Sequence, residues 1–134
     1  MSLLHNDIRN KGLNEFTAVA TAGNLKVAIC KTEPTILSQV TALDGAGGKR
    51  VTTELTYDAG DVSVADKAGG GREAIFASKV ASGAVSTNQG EDLYIAIYDA
   101  TRLLYVGNEP SDSAINNGAD TTIGQAKVQM GNFA

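Results

Sequence analysis

Residues 92–106 read Asp92-Leu-Tyr-Ile-Ala-Ile-Tyr-Asp-Ala-Thr-Arg-Leu-Leu-Tyr-Val106, and this stretch decides the fold. Leu93, Ile95 and Ile97 alternate with Tyr94, Ala96 and Tyr98, the period of a β-strand. Asp99-Ala-Thr-Arg102 is a short polar connection, and Leu103 to Val106 runs back as a second arm, so the stretch predicts a hairpin. Both faces of that hairpin are apolar, which calls for cover on both sides rather than one face in water. No other stretch gathers as many β-branched and aromatic residues, and nothing within it offers catalytic chemistry.

Working outward, Leu25 to Thr32 predicts a strand with Leu25, Val27 and Ile29 on one face, stopped by Glu33-Pro34 because proline lacks the ladder donor. Val51 to Tyr57 alternates, with Val51, Leu55 and Tyr57 inward and Thr52, Glu54 and Thr56 outward. Asp58 to Asp61 turns the chain into Val62 to Ala65. Ala74 to Ser78 and Val80 to Val85 follow, as two strands or as one long bent strand. Thr121 to Met130 is the last strand, with Ala126, Val128 and Met130 on one face. Residues 35–44 fit a short helical turn or an irregular loop. Turn chemistry marks Gly45 to Gly48, Asp66 to Gly71, Glu109 to Asp112 and Asn116 to Gly118.

Ahead of these strands, residues 2–22 predict a helix through the spacing of Leu4, Ile8, Phe16 and Val19, with Leu13 at its margin. Ser2 or Asn6 is the candidate cap and Gly23-Asn24 the stop, while Gly12 costs its interior roughly 1 kcal/mol relative to alanine. An extended arm ahead of a shorter helix is the alternative. The whole predicts a mostly β chain: an antiparallel β-sandwich or barrel of about seven or eight short strands with one N-terminal helix. A single domain spans 1–134, with 1–23 the helix or arm and 24–134 the β-domain.

At 134 residues the chain is long enough to bury a core, and its 43% hydrophobic content separates it from disordered sequences. A net charge of −4 and scattered basic residues exclude nucleic acid as the main partner, because phosphate binding concentrates lysine and arginine. No apolar run reaches transmembrane length, so no membrane partner is expected. The first residues lack the basic start and apolar core of a secretion signal. One cysteine makes no internal disulfide, in keeping with synthesis in a reducing cytoplasm.

Tests for chemistry fail one by one. Gly45-Ala-Gly-Gly-Lys-Arg50 resembles a phosphate loop until the pattern is applied. A glycine is wanted where Leu43 stands, and a serine or threonine where Arg50 stands. His5 is the only histidine, so no histidine cluster or dyad forms within the chain. Cys30 lies among apolar neighbours, where a thiol behaves as a small hydrophobe. The acid pairs Asp58/Asp61 and Glu91/Asp92 sit at strand ends, where such residues make turn hydrogen bonds. Asp58, Asp61 and Asp66 lack the ligand order of a calcium loop. No catalytic, cofactor-binding or metal-ligating residue is therefore assigned, no cofactor is expected, and the chain reads as a non-enzyme.

Four stretches together resemble a family of small tailed-bacteriophage virion proteins of the head decoration or cement kind. Asp7 to Thr17, with Leu13-Asn14, is similar to the family's opening helix. Val27-Ala-Ile-Cys-Lys-Thr-Glu-Pro-Thr35 is similar to its strand ending in Cys-x-x-Glu-Pro-Thr. Ala84 to Tyr105 is similar to its hairpin, best at Ile95 to Asp99 and Leu103 to Tyr105. Ser113 to Met130 resembles its closing turn and last strand. An insertion over Ala84 to Asp92 departs from the pattern. The resemblance implies a capsid-binding structural protein of the virion, made in the host cytoplasm, with the major capsid protein as partner and a homo-oligomer, trimer or dimer, as the working unit. The alternatives are a tail, neck or baseplate component and, in a different class, a receptor- or carbohydrate-binding β-sandwich module. Loops 45–50, 66–72 and 108–120 and the N-terminal segment are the expected contact surfaces. That N-terminal segment is expected either to clasp a neighbouring subunit or to plug one end of its own sandwich.

Overall fold

The alternation over 92–106 folds as a hairpin, and the rest of the chain is layered on it. In the computed structural model, residues 3–5, 8, 12–66, 71–109 and 114–130 are described. Among them, the first sheet contains β1 (Leu3–Leu4), β2 (Leu25–Cys30) and β3 (Leu55–Tyr57), and the second layer contains β4 (Val62–Asp66), β5 (Arg72–Phe76) and β6 (Lys79–Ser82). The hairpin itself is β7 (Leu93–Tyr98) with β8 (Leu103–Glu109), and β9 (Asp120–Ile123) and β10 (Ala126–Met130) close the chain. The first sheet has the order β1-β8-β7-β2-β3 and is antiparallel throughout.

Its two central strands are covered on both faces along most of their length, with only Lys26 and Tyr94 half-buried. Leu25, Val27 and Ile29 of β2 and Leu93, Ile95 and Ile97 of β7 enter the main core. Ala28, Cys30, Ala96 and Tyr98, on the reverse face, enter a second cluster completed by Val40, Leu103 and Val106. The segment following Pro34 covers that reverse face, and a four-residue helical turn, Ser38–Thr41, brings Val40 down onto it. The hairpin register slips between Ile97 and Tyr98. Leu103 therefore faces the small cluster, while Leu104 and Tyr105 both pack on the main core.

The other layer is a three-stranded sheet of order β10-β5-β4 together with the pair β6-β9. These are one ribbon in effect. Phe76 faces Ala126, and three residues further on Lys79 faces Ile123, so the register passes unbroken across the gap at residues 77–78 and 124–125. The long-bent-strand alternative for residues 74–85 thus holds in register over 72–82. The predicted strand from Thr121 to Met130 is interrupted at Gly124-Gln125, where the ribbon bends. Val62, Ala74, Phe76 and Val128 point from this layer into the main core.

Residues 51–57 contain an excursion that alternation did not reveal. Residues 49–51 run along the end of β2, with Val51 N–H donating to Ile29 O at 2.8 Å, and β3 rejoins β2 with Leu55 opposite Val27. Two residues more than the ladder needs lie between, so the inward parity of Val51, Leu55 and Tyr57 survives. Thr52, expected to face outward, is instead fully buried. Its Oγ1 accepts from Ile29 N–H at 3.1 Å, standing in for the missing ladder acceptor, and Thr53 N–H reaches across to Ser82 O at 2.9 Å.

The N-terminal helix is shorter than its apolar spacing predicts. Leu3–Leu4 pairs with β8 as a strand, as the extended-arm alternative has it, and the longest helix among the described residues, α1, spans Asn14–Thr21. Ile8 before it is also helical, its carbonyl accepting from Gly12 N–H at 2.8 Å. Gly12 is the reason: it adopts φ +85°, a left-handed conformation that ends a right-handed helical path. The candidate caps Ser2 and Asn6 lie outside the described residues, and Leu13 occupies the cap position without a side-chain bond. Gly23, at φ +80°, ends the helix as expected. Ile8, Leu13, Phe16 and Val19 pack in the chain's own main core, where the Phe16 and Phe76 rings meet edge-on at 5.0 Å. The described apolar residues of the segment thus pack within the chain's own sandwich, and the helix and the β-layers share one core.

Ile97 is fully buried at the centre of β7. Ile97→Ala is expected to destabilise the fold by about 2–5 kcal/mol, read from the denaturant midpoint. A loss below about 0.5 kcal/mol, the level of a surface change, would contradict the two-sided burial of the hairpin. Deleting residues 1–10 removes β1 and the buried Ile8, and is expected to lower the same midpoint; an unchanged midpoint would show that the segment is no part of the core.

Candidate functional site

Each residue group that the sequence offers for chemistry is placed by the fold, and most of them hold the fold together. The glycine loop at 45–48 is a tight turn in which Gly45 and Gly47 take left-handed angles and Asp44 bridges to Gly48. The basic residues after it turn inward to backbone oxygens. Lys49 Nζ donates to Glu33 O at 2.9 Å, Arg50 Nε to Val40 O at 3.0 Å and Arg50 Nη1 to Thr52 O at 2.7 Å. A cradle for phosphate needs free donors, and these point into the segment that covers the sheet.

The acid pairs behave as turn residues. Asp58 and Asp61 form a reciprocal capping box around a 3-10 turn, Ala59–Asp61, with Asp58 Oδ1 accepting from Gly60 N–H at 2.9 Å and Asp61 Oδ2 from Asp58 N–H at 3.0 Å. Lys79 Nζ donates to Asp61 at 2.7 Å and lies 4.9 Å from the centre of the Tyr57 ring. Hydrogen bonds, first from Lys79 and then from the Asp58 amide, hold the Asp61 carboxyl below its usual range. Burial, aided by Asp61, raises the Tyr57 phenol to about 12. Asp66 pairs instead with Arg72 at 3.4 Å, so the three aspartates of the calcium alternative are dispersed. Glu91 caps its own turn through Asn88 N–H, with Lys31 Nζ 3.9 Å away. Among the described residues no three His, Cys, Asp or Glu side chains converge as a metal site.

Cys30 is fully buried beneath the covering segment. Burial raises its thiol to about 12, with Arg50 and Lys49 only partly opposing the shift. A thiol so far from ionisation at neutral pH is a packing group and not a nucleophile. Behind it, Tyr98 O–H donates to Glu54 at 2.5 Å, and desolvation, followed by that carboxylate, pushes the phenol far up.

Two open grooves lie among the described residues. One, of about 400 Å³, lies between β1 and the hairpin turn and is lined by Leu4, His5, Thr35, Ile36, Arg102 and Leu103. The other, of about 300 Å³, is lined by Lys31, Thr32, Glu33, Glu91, Asp92 and Tyr94. His5 is half-buried and tied through its own N–H to Leu104 O at 2.8 Å. Of the expected contact loops, residues 67–70 and 110–113 lie outside the described residues.

One cluster escaped sequence reasoning. Asp99 in the hairpin turn accepts from Thr101 N–H at 2.9 Å, Arg102 N–H at 2.7 Å and both Arg102 Nε and Nη2, at 2.8 and 2.6 Å. Arg102 Nη1 then reaches Glu15 of α1 at 2.8 Å. The short Asp99-to-Arg102 spacing was a turn signal, but its partner 87 residues away left no local trace.

Cys30 is expected to label slowly with a thiol reagent in the native protein and rapidly in denaturant; rapid native labelling would place it at the surface. Asp99 supplies a pH prediction. Burial works to raise its pKa, but the Arg102 and backbone donors outweigh burial and hold it below its ordinary 3.8. A lowered folded pKa gives stability that is complete above the ordinary value and is lost as pH falls through the folded one. Asp99→Asn is expected to cost about 1–3 kcal/mol at neutral pH and to flatten part of the acid slope of stability. An acid slope identical to the parent's would contradict the assignment.

Comparison with protein-family models, with curated proteins and with solved structures found no match to this chain.

Proposed function

We propose that the chain is a bacteriophage virion structural protein, a decoration or cement subunit that binds the assembled head through the major capsid protein. What carries the reading is where the resembling stretches lie. Val27 to Cys30 on β2, Ile95 to Tyr98 on β7 and Leu103 to Tyr105 on β8 are hydrogen-bonded neighbours in one sheet, so the likeness follows a continuous framework and not scattered words. The mechanism is mass action: a subunit that binds only the assembled shell stabilises that shell. Repetition over a lattice, with the subunit as a dimer or trimer, multiplies weak contacts through avidity.

The loops at 45–50, 66–72 and 108–120, together with the N-terminal segment, would supply such contacts. The reading as a sugar-binding module draws less support. Such sites present aromatic platforms, yet Tyr57 and Tyr98 are buried and Tyr94 and Tyr105 are half-buried within strands. No helix among the described residues is long and apolar enough to cross a membrane.

The test is co-sedimentation with empty heads assembled from a tailed-phage major capsid protein of the same genome as this chain. Saturable binding and a higher shell-disruption temperature are expected. Failure to bind heads together with binding to purified tails would replace the reading with the tail or baseplate alternative; binding to neither, with binding to a glycan, would replace it with the carbohydrate-binding one.

A further inference from the structure

The chain holds one Asn-Gly peptide, Asn117-Gly118, and it lies where three segments are stitched together. Gly118, at φ +84°, forms part of a turn closed by Ala119 N–H donating to Asn116 O at 3.0 Å. Gly118 N–H donates to Gly83 O at 2.9 Å, and Gly83 N–H donates to Ala119 O at 2.8 Å. Asn117 N–H donates to Ser86 Oγ at 3.1 Å, while Ile115 and Thr87 exchange two bonds, Ile115 N–H to Thr87 Oγ1 at 2.9 Å and Thr87 N–H to Ile115 O at 2.8 Å. Gly83 is required here: a Cβ at that position would strike Asn116 O and Ile115 Cγ2. The Asn117 residue itself is exposed.

An Asn-Gly peptide is the sequence most prone to intramolecular deamidation, because glycine puts no side chain in the path of its own nitrogen. In that reaction the Gly118 nitrogen gives up its proton and attacks Asn117 Cγ. The new C–N bond forms as the amide C–N bond breaks, and ammonia leaves. Water then opens the five-membered imide to aspartate or isoaspartate. No oxidant or reductant takes part.

We propose that Asn117-Gly118 is a self-modification site gated by the stitch to Gly83. The nitrogen that must attack is the one whose hydrogen Gly83 O holds, so the reaction needs residues 115–119 to lift from residues 83–87 first. Local opening, and not side-chain exposure, then sets the rate. The isoaspartate product routes the main chain through the former side chain and adds one backbone atom. The Gly118 N–H no longer reaches Gly83 O, so the modification converts a transient opening into a permanent one.

The experiment incubates the full chain at mildly alkaline pH, native and in guanidinium, and follows Asn117 by peptide mapping with chromatographic separation of isoaspartate. Native deamidation is expected to be slower than in the unfolded chain by more than about tenfold, the ratio that about 1.4 kcal/mol of opening free energy imposes. Ser86→Ala and Thr87→Val, each loosening one side of the stitch, are expected to accelerate the native reaction while circular dichroism stays unchanged. Equal rates in native and unfolded chains would overturn the gate. So would native rates that neither variant raises.

Discussion

A β-strand with water on neither side must be covered twice, and this requirement organises the molecule. β2 and β7 bury both faces, so the chain needs one layer in front of the first sheet and another behind it. The front layer is the bent ribbon with α1 at its end. The rear layer is thin: the stretch after Pro34, which reaches the small alanine- and cysteine-lined face through Val40 and Leu37. Small residues at Ala28, Cys30 and Ala96 let so slight a covering pack closely. The basic side chains that follow, Lys49 and Arg50, fasten that covering by donating to its backbone oxygens.

How much of this was legible depends on the range of the interaction. Strand alternation is local, so the hairpin, β2 and its proline stop were readable from neighbouring residues alone. The turn role of Asp58 and Asp61 was readable for the same reason. The helix was overextended because apolar spacing does not report backbone sign; Gly12 carried the information as a left-handed angle, which composition registers only as a propensity penalty. Thr52 was misplaced because its burial answers a gap in the ladder of another strand, 23 residues earlier. The ties from Arg102 to Glu15 and from Tyr98 to Glu54 join residues 87 and 44 positions apart. Neither partner has a distinctive neighbourhood.

The same economy explains the roles of the acid pairs and of the glycine-rich basic loop. Asp58, Asp61 and Glu91 are committed to turns, Lys49 and Arg50 to backbone oxygens, and buried Thr52 to the ladder of β2. Among the described residues, turn backbone, scattered charge and two large apolar side chains, Ile36 and Val80, stay outward.

The unbroken register of the ribbon also bears on the order in which the molecule assembles. Residues 72–82 meet 120–130 only after the chain between them has been gathered in, and that closure carries an entropic cost that grows with the length of free chain. The hairpin lies inside the gathered stretch. Once β7 and β8 have paired across their short connection, the effective loop is much shorter, and the ribbon closes over a nucleus already formed. Assembly is therefore expected to run from the middle of the sequence outward, with the last strand zipped on at the end. Pulsed hydrogen exchange during refolding would report this as early protection in residues 93–109 and late protection in 120–130, and the opposite order would be incompatible with it.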